Sequence, residues 1–119
     1  MRSVPSKNPA QRLRDIVDNI DAIREFSADM DYDTFATDRK TLYAITRALE
    51  IISEATKRLP EEIKDRFQEI DWVAIAAAGN IYRHEYESVD EMLLWHTVQR
   101  DLEALRKMAV IELDRLQGG

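Results

Sequence analysis

Apolar residues recur every three to four positions along most of this chain, and no segment shows the strict alternation of a strand. Leu13, Ile16, Val17, Ile20 and Ile23 keep the helical step, which predicts a first helix from about residue 9 to about residue 29. Asn8-Pro9 ahead of it supplies an N-cap side chain and a proline at the first helical position, where a missing N–H costs nothing. Asp29-Met30-Asp31-Tyr32-Asp33 interrupts the pattern and reads as a short acidic connection. A second helix is expected from residue 34 or 38 to residue 58, ending before Pro60. Leu42, Ile45, Leu49, Ile52 and Leu59 form one apolar stripe on it; Ala44, Ala48, Ile51 and Ala55 form a second beside the first. A face that wide serves two neighbours, within one chain or across a dimer seam.

Pro60-Glu61-Glu62 opens a short helix to about Phe67, with acidic residues suited to its first turn. Asp71 is placed to cap a new helix at Trp72, in which Ala74, Ala76, Ala77, Ala78 and Gly79 are small enough to let a neighbouring backbone approach. Ser88-Val89-Asp90-Glu91 has the form of a capping box. The last helix carries Leu94, Val98, Leu102, Leu105, Ala109, Leu113 and Leu116 in steps of three and four, and ends at Gly118-Gly119. The reading is all-α: an antiparallel, up-and-down bundle of four or five helices in one domain over residues 1–119, with residues 1–8 frayed.

Composition narrows the classes. At 119 residues there is material for one core, and the absence of cysteine excludes disulfides and thiolate metal sites. The first residues lack the apolar run of a signal peptide, and the longest apolar stretch, Trp72 to Ala78, is too short to cross a bilayer. A cytoplasmic protein with no membrane partner is expected. A net charge of −6 argues against general affinity for nucleic acid, so any contact with RNA requires a local basic patch on an acidic body.

Chemistry concentrates in Asn80-Ile81-Tyr82-Arg83-His84-Glu85-Tyr86. If residues 72 to 86 are helical, Asn80, Arg83 and His84 share a face. That face carries a fixed cation, a group that titrates near neutral pH and a hydrogen-bonding amide, the tools for gripping a phosphodiester and moving its protons. Residue chemistry alone leaves another reading open: a structural imidazole at His84 tied to a carboxylate such as Glu54, with Tyr86 as packing.

Ile51-Ile52-Ser53-Glu54-Ala55, Ile70-Asp71-Trp72, Asn80 to Tyr86 and Val89-Asp90 together resemble the HepT-like branch of the HEPN superfamily, over residues 10 to 113 or so. The resemblance implies a metal-independent endoribonuclease acting as a toxin, with a homodimer whose motif helices meet at a cleft. It also implies a small nucleotidyltransferase antitoxin that attaches AMP to the motif tyrosine. The family motif is an arginine, four to six residues, then histidine, any residue and tyrosine. His84 and Tyr86 match its end, but position 79, where the arginine is expected, holds Gly79, and the next two candidates are Ala78 and Ala77. Arg83 stands four residues past Gly79 and is the candidate substitute, displaced by about 6 Å along a helix.

On that basis His84, Arg83 and Asn80 are the expected catalytic group: His84 for proton transfer, Arg83 for the scissile phosphate, Asn80 for orientation. Tyr86 is the expected modification site. Glu54 has two readings, a supporting partner of His84 or Arg83, or a helix-surface carboxylate paired with Lys57 or Arg58. His96 is expected to be structural or superficial. No cofactor and no metal are expected. Arg12 with Arg14, Arg39 with Lys40, and Arg47 with Lys57 and Arg58 are either parts of a basic patch or solubilising charge. The competing function is a catalytically degenerate helical adaptor or nucleotide-binding module that partners a nucleotidyltransferase.

Overall fold

The computed structural model describes residues 8–79 and 91–118. Its elements are α1 (Pro9–Phe26), α2 (Tyr32–Thr37), α3 (Arg39–Lys57), α4 (Glu61–Arg66), α5 (Trp72–Ala78), α6 (Glu91–His96), a π-helical turn over Thr97–Asp101, and α7 (Leu102–Gly118). Among the described residues every regular element is helical, so the all-α reading holds. Short polar side chains set most of the starts. Asn8 Oδ1 accepts the Gln11 N–H ahead of Pro9, Asp31 the Thr34 N–H, Asp38 the Thr41 N–H and Asp71 the Ala74 N–H. Of the segment expected to fray, residues 1–7 lie outside the described residues; Asn8 is the α1 cap. The Ser88 capping box also lies outside them.

α3 is the central element, with α1 against one side and α5 against another. Its first stripe, Leu42, Ile45, Leu49 and Ile52, is buried with Leu13, Ile16, Ile20 and Ile23 of α1 and with Leu102, Leu105, Met108 and Ala109 of α7. Burying each such large side chain is worth about 1.5–3 kcal/mol. In the second stripe Ala48 and Ala55 are buried while Ala44 and Ile51 are half-buried. Both neighbours of α3 are thus supplied by its own chain. α1 and α7 run antiparallel: Arg106 donates to both oxygens of Asp21 at 2.7 and 3.1 Å, and Arg24, one turn on, pairs with Glu103, one turn back. The same hydrogen bonds hold the Asp21 carboxyl below the usual carboxylate range.

Three features differ from the periodicity-based expectation. The acidic connection after α1 is shorter than its sequence suggests, because Asp31 caps a separate helix, α2, which seats Phe35 in the core. There Phe35 meets the Trp95 ring edge-on at 4.9 Å, with Tyr32 on Trp95 at 5.9 Å. The closing helix is not continuous but widens into a π turn at Thr97–Asp101, where Thr97 turns its hydroxyl back onto the Leu93 carbonyl. Finally, Glu112, only 1% exposed, occupies a core-facing position of α7, while Leu116 is exposed. Its carboxylate accepts two hydrogen bonds from Arg66 of α4, at 2.5 and 3.2 Å, and one from Arg115 at 3.3 Å. The Arg66 bonds, ahead of burial's opposing effect, keep Glu112 ionised below the ordinary carboxylate range. The charge is tolerated inside because it is paired and hydrogen-bonded.

Candidate functional site

Asn80, Arg83, His84 and Tyr86 lie outside the described residues; the structure defines the platform from which they depart. That platform is the seam between α3 and α5. Ser53 Oγ donates to the Ala76 carbonyl at 2.6 Å. One turn further along α5, Gly79 faces Ser53 and the backbone of Glu50: a Cβ on Gly79 would stand 2.6 Å from Ser53 Cβ, 2.7 Å from Ser53 Oγ and 3.6 Å from Glu50 Cα. Moving up α5 from 76 to 79 therefore means moving down α3 from 53 to 50. The two helices are antiparallel, and the C-terminal end of α5 points toward the N-terminal half of α3.

Gly79 has φ −67° and ψ −13°, an ordinary helical conformation. Its need for glycine is one of space. This changes the meaning of the missing motif arginine. A side chain at 79 collides with Ser53, and Ala78 is buried, so two of the three positions open to that arginine are packed against protein; Ala77 alone is exposed. The small residues are legible in the sequence as a close-approach surface, but Ser53, the residue that makes the approach, is not. It sits in the Ile51-Ile52-Ser53-Glu54-Ala55 segment, where a lone hydroxyl directly after two isoleucines is the available signal.

Glu54 is exposed on α3, with its carboxylate 4.0 Å from the Arg58 guanidinium. Glu50, nearer the seam, lies 3.7 Å from Arg47. His96 is exposed on the surface at the end of α6. The one polar side-chain group of α5, the Trp72 indole N–H, donates to the Phe67 carbonyl at 3.1 Å, while Val73, 80% exposed, and Ala74 and Ala77 all face outward. No helix of the described residues is long and apolar enough to cross a membrane.

The sequence profile of the family described as "Ribonuclease HepT-like" matches residues 6–110. Among curated proteins, "Probable ribonuclease HepT" of Thermococcus cleftensis is 39% identical over 94 residues, which is 79% of this chain and 86% of that protein. "Putative RNase MJ1380" of Methanocaldococcus jannaschii is 34% identical over 95 residues, 80% of this chain and 87% of that protein. A second protein of the same organism, "Putative RNase MJ0125", is 31% identical over 104 residues, 87% of this chain and 90% of that protein. No solved structure gives a significant match. The profile match takes in the α3–α5 seam together with Arg83, His84 and Tyr86, and on that extent of agreement the chain belongs to the ribonuclease HepT-like family.

Proposed function

We propose that this protein is an endoribonuclease that cleaves RNA by transesterification at a site built on Arg83, His84 and Asn80. The observation that carries the reading is the family match over residues 6–110, which includes these residues and Tyr86. His84 takes the proton from a ribose 2′-hydroxyl, whose oxygen attacks the adjacent phosphorus; the bond to the 5′-oxygen breaks, and that oxygen leaves with a proton. The products are a 2′,3′-cyclic phosphate and a 5′-hydroxyl end. Arg83 offsets the charge that grows on the phosphate oxygens. Packing at Gly79 supports Arg83 as the guanidinium of the site, since an arginine at 79 would have to displace Ser53. Glu54 is a supporting carboxylate in this reading, one that exchanges its exposed partner Arg58 for a group of the site. The reaction needs no metal or cofactor.

The active form is a homodimer. An apolar helix face is normally covered, and the outward residues Val73, Ala74 and Ala77 of α5 support a second copy as the cover. The protein acts in the cytoplasm as the toxin of a toxin–antitoxin pair. Its antitoxin is a nucleotidyltransferase that transfers AMP from ATP to the Tyr86 hydroxyl with release of pyrophosphate.

The test is cleavage of a labelled RNA by purified protein in the presence of a chelator. Wild type is expected to yield cyclic-phosphate ends, and His84→Ala to lose at least a hundredfold in rate, roughly the size of a general acid–base contribution. Co-expression with a candidate nucleotidyltransferase antitoxin should add the mass of one adenylyl group to wild type and not to Tyr86→Phe. Undiminished cutting by His84→Ala refutes the catalytic assignment. Binding of the nucleotidyltransferase with no RNA cleavage favours the degenerate adaptor.

A further inference from the structure

From the exposed side chains on the N-terminal half of α3 we infer that Arg39, Tyr43 and Arg47 form a track for single-stranded RNA leading into the cleavage site, an inference that rests on the ribonuclease reading. Between Asp38 and Glu50 the chain has no acidic residue and three cations, Arg39, Lys40 and Arg47, on a protein whose net charge is −6. Arg39, Tyr43 and Arg47 follow one another at four-residue steps and so form a single stripe about 12 Å long. All are exposed: Tyr43 by 46%, the Arg47 side chain by 72%. This is the local basic patch that an acidic body requires to hold a polyanion.

The stripe is organised. Arg39 donates from Nε and Nη2 to the Tyr43 hydroxyl at 3.2 and 2.9 Å, and its guanidinium carbon lies 5.3 Å from the centre of the Tyr43 ring. The Arg39 cation is thereby held over the Tyr43 ring in advance of any ligand. Arg47 pairs with the half-buried Glu50 at 3.7 Å, a long contact whose exposed guanidinium can turn to a phosphate. Alternating cations and aromatic surface is the pattern that binds single strands, with phosphates on the guanidinium groups and a base on the ring.

Placement links the stripe to the site. Glu50, against which Gly79 packs, lies on the same face of α3 as Tyr43 and Arg39 by helical periodicity. Tyr43 is about 10 Å and Arg39 about 16 Å further along that face in the direction α5 points. Arg83 and His84 follow Gly79 by four and five residues. A strand lying on the stripe therefore runs toward the point from which the catalytic residues depart.

The probe is a fluorescein-labelled, unstructured 2′-O-methyl oligonucleotide of about one OB-fold site size, roughly 12 nucleotides. It lacks the attacking hydroxyl and survives binding. Anisotropy is measured on the full chain across salt concentrations, alongside cleavage of the matching ribo-oligonucleotide. Arg39→Ala with Arg47→Ala is expected to weaken binding, to lower the slope of log K against log salt by about 1.4, and to raise KM more than it lowers kcat. Tyr43→Ala is expected to lose about tenfold in affinity with the slope retained, and Tyr43→Trp to recover it. If wild type cleaves RNA while the double variant binds with unaltered affinity and slope, the track is wrong and the ribonuclease stands. If wild type neither binds the analogue nor cleaves the RNA, both fall.

Discussion

Substituting Gly79 gives an outcome whose sign depends on one neighbour. The glycine's φ and ψ are helical, so on backbone grounds alone Gly79→Ala should stabilise the protein by about 0.5–1 kcal/mol through a less flexible unfolded chain. Packing opposes this. The new Cβ would sit 2.6 Å from Ser53 Cβ, an atom fixed to the α3 backbone that no rotamer change can remove, and overpacking of this kind costs about 1–3 kcal/mol. The collision wins, and Gly79→Ala is expected to lower stability by about 0.5–2 kcal/mol. Gly79→Arg, which on paper restores the family motif, starts from the same Cβ and is expected to cost at least as much. Ser53→Gly removes the obstacle but loses the hydrogen bond to the Ala76 carbonyl and adds a glycine within α3, together about 2 kcal/mol. In that background Gly79→Ala should become neutral or stabilising. Urea unfolding of wild type, the two single variants and the double variant gives the coupling energy directly, expected at about 1–3 kcal/mol. Ser53→Ala is the control, since it keeps the Cβ and should leave the penalty in place. A Gly79→Ala protein as stable as wild type would refute the collision, and so would an equal cost of Gly79→Ala with and without Ser53→Gly.

Other substitutions test the remaining parts of the frame. Glu112→Gln removes the charge that Arg66 and Arg115 hold, and is expected to cost about 1–2 kcal/mol at pH 7, below the full value of a buried pair because both arginines keep access to water. Since the folded-state pKa of Glu112 lies below its unfolded value, the carboxylate's contribution is present above pH 4.5 or so and fades as pH falls through the depressed pKa. The gap in urea midpoint between wild type and Glu112→Gln should accordingly narrow on going from pH 7 to pH 3; a constant gap would contradict the pairing. Asp71→Ala deprives α5 of its cap and should cost about 1 kcal/mol, readable as a lowered thermal midpoint, with Asp71→Ser restoring most of it. Phe35→Ala is expected to cost about 3–5 kcal/mol and to shift the fluorescence of Trp95, its edge-on partner. An unshifted tryptophan spectrum would mean that α2 does not seat that ring.

What the chain discloses before folding, and what it withholds, follows the range of the forces involved. Asn8 and Asp71 announce helix starts because a cap is a contact between residues three apart, and α1 and α3 are visible because their core side chains repeat with the period of the helix itself. α2 is hidden by the same logic: Asp29, Asp31 and Asp33 make the segment look like a solvated connection, and only the Asp31–Thr34 spacing betrays a cap. The π turn at Thr97–Asp101 is invisible because Leu94, Val98, Leu102 and Leu105 satisfy a helical step with or without one extra residue in the turn. Glu112 marks the limit. Local pattern assigns a glutamate to the surface, and its burial depends on Arg66, forty-six residues away on α4, a pairing that exists only once α4 has packed beside α7. Gly79 is the same case at the candidate site. From the sequence alone it is a motif position that has lost its arginine; beside Ser53 it is a position whose glycine lets two helices touch. The family's requirement for a cation and the bundle's requirement for a close seam compete for residue 79. In the proposed function Arg83, four residues later in the sequence, supplies the cation and leaves residue 79 to the seam.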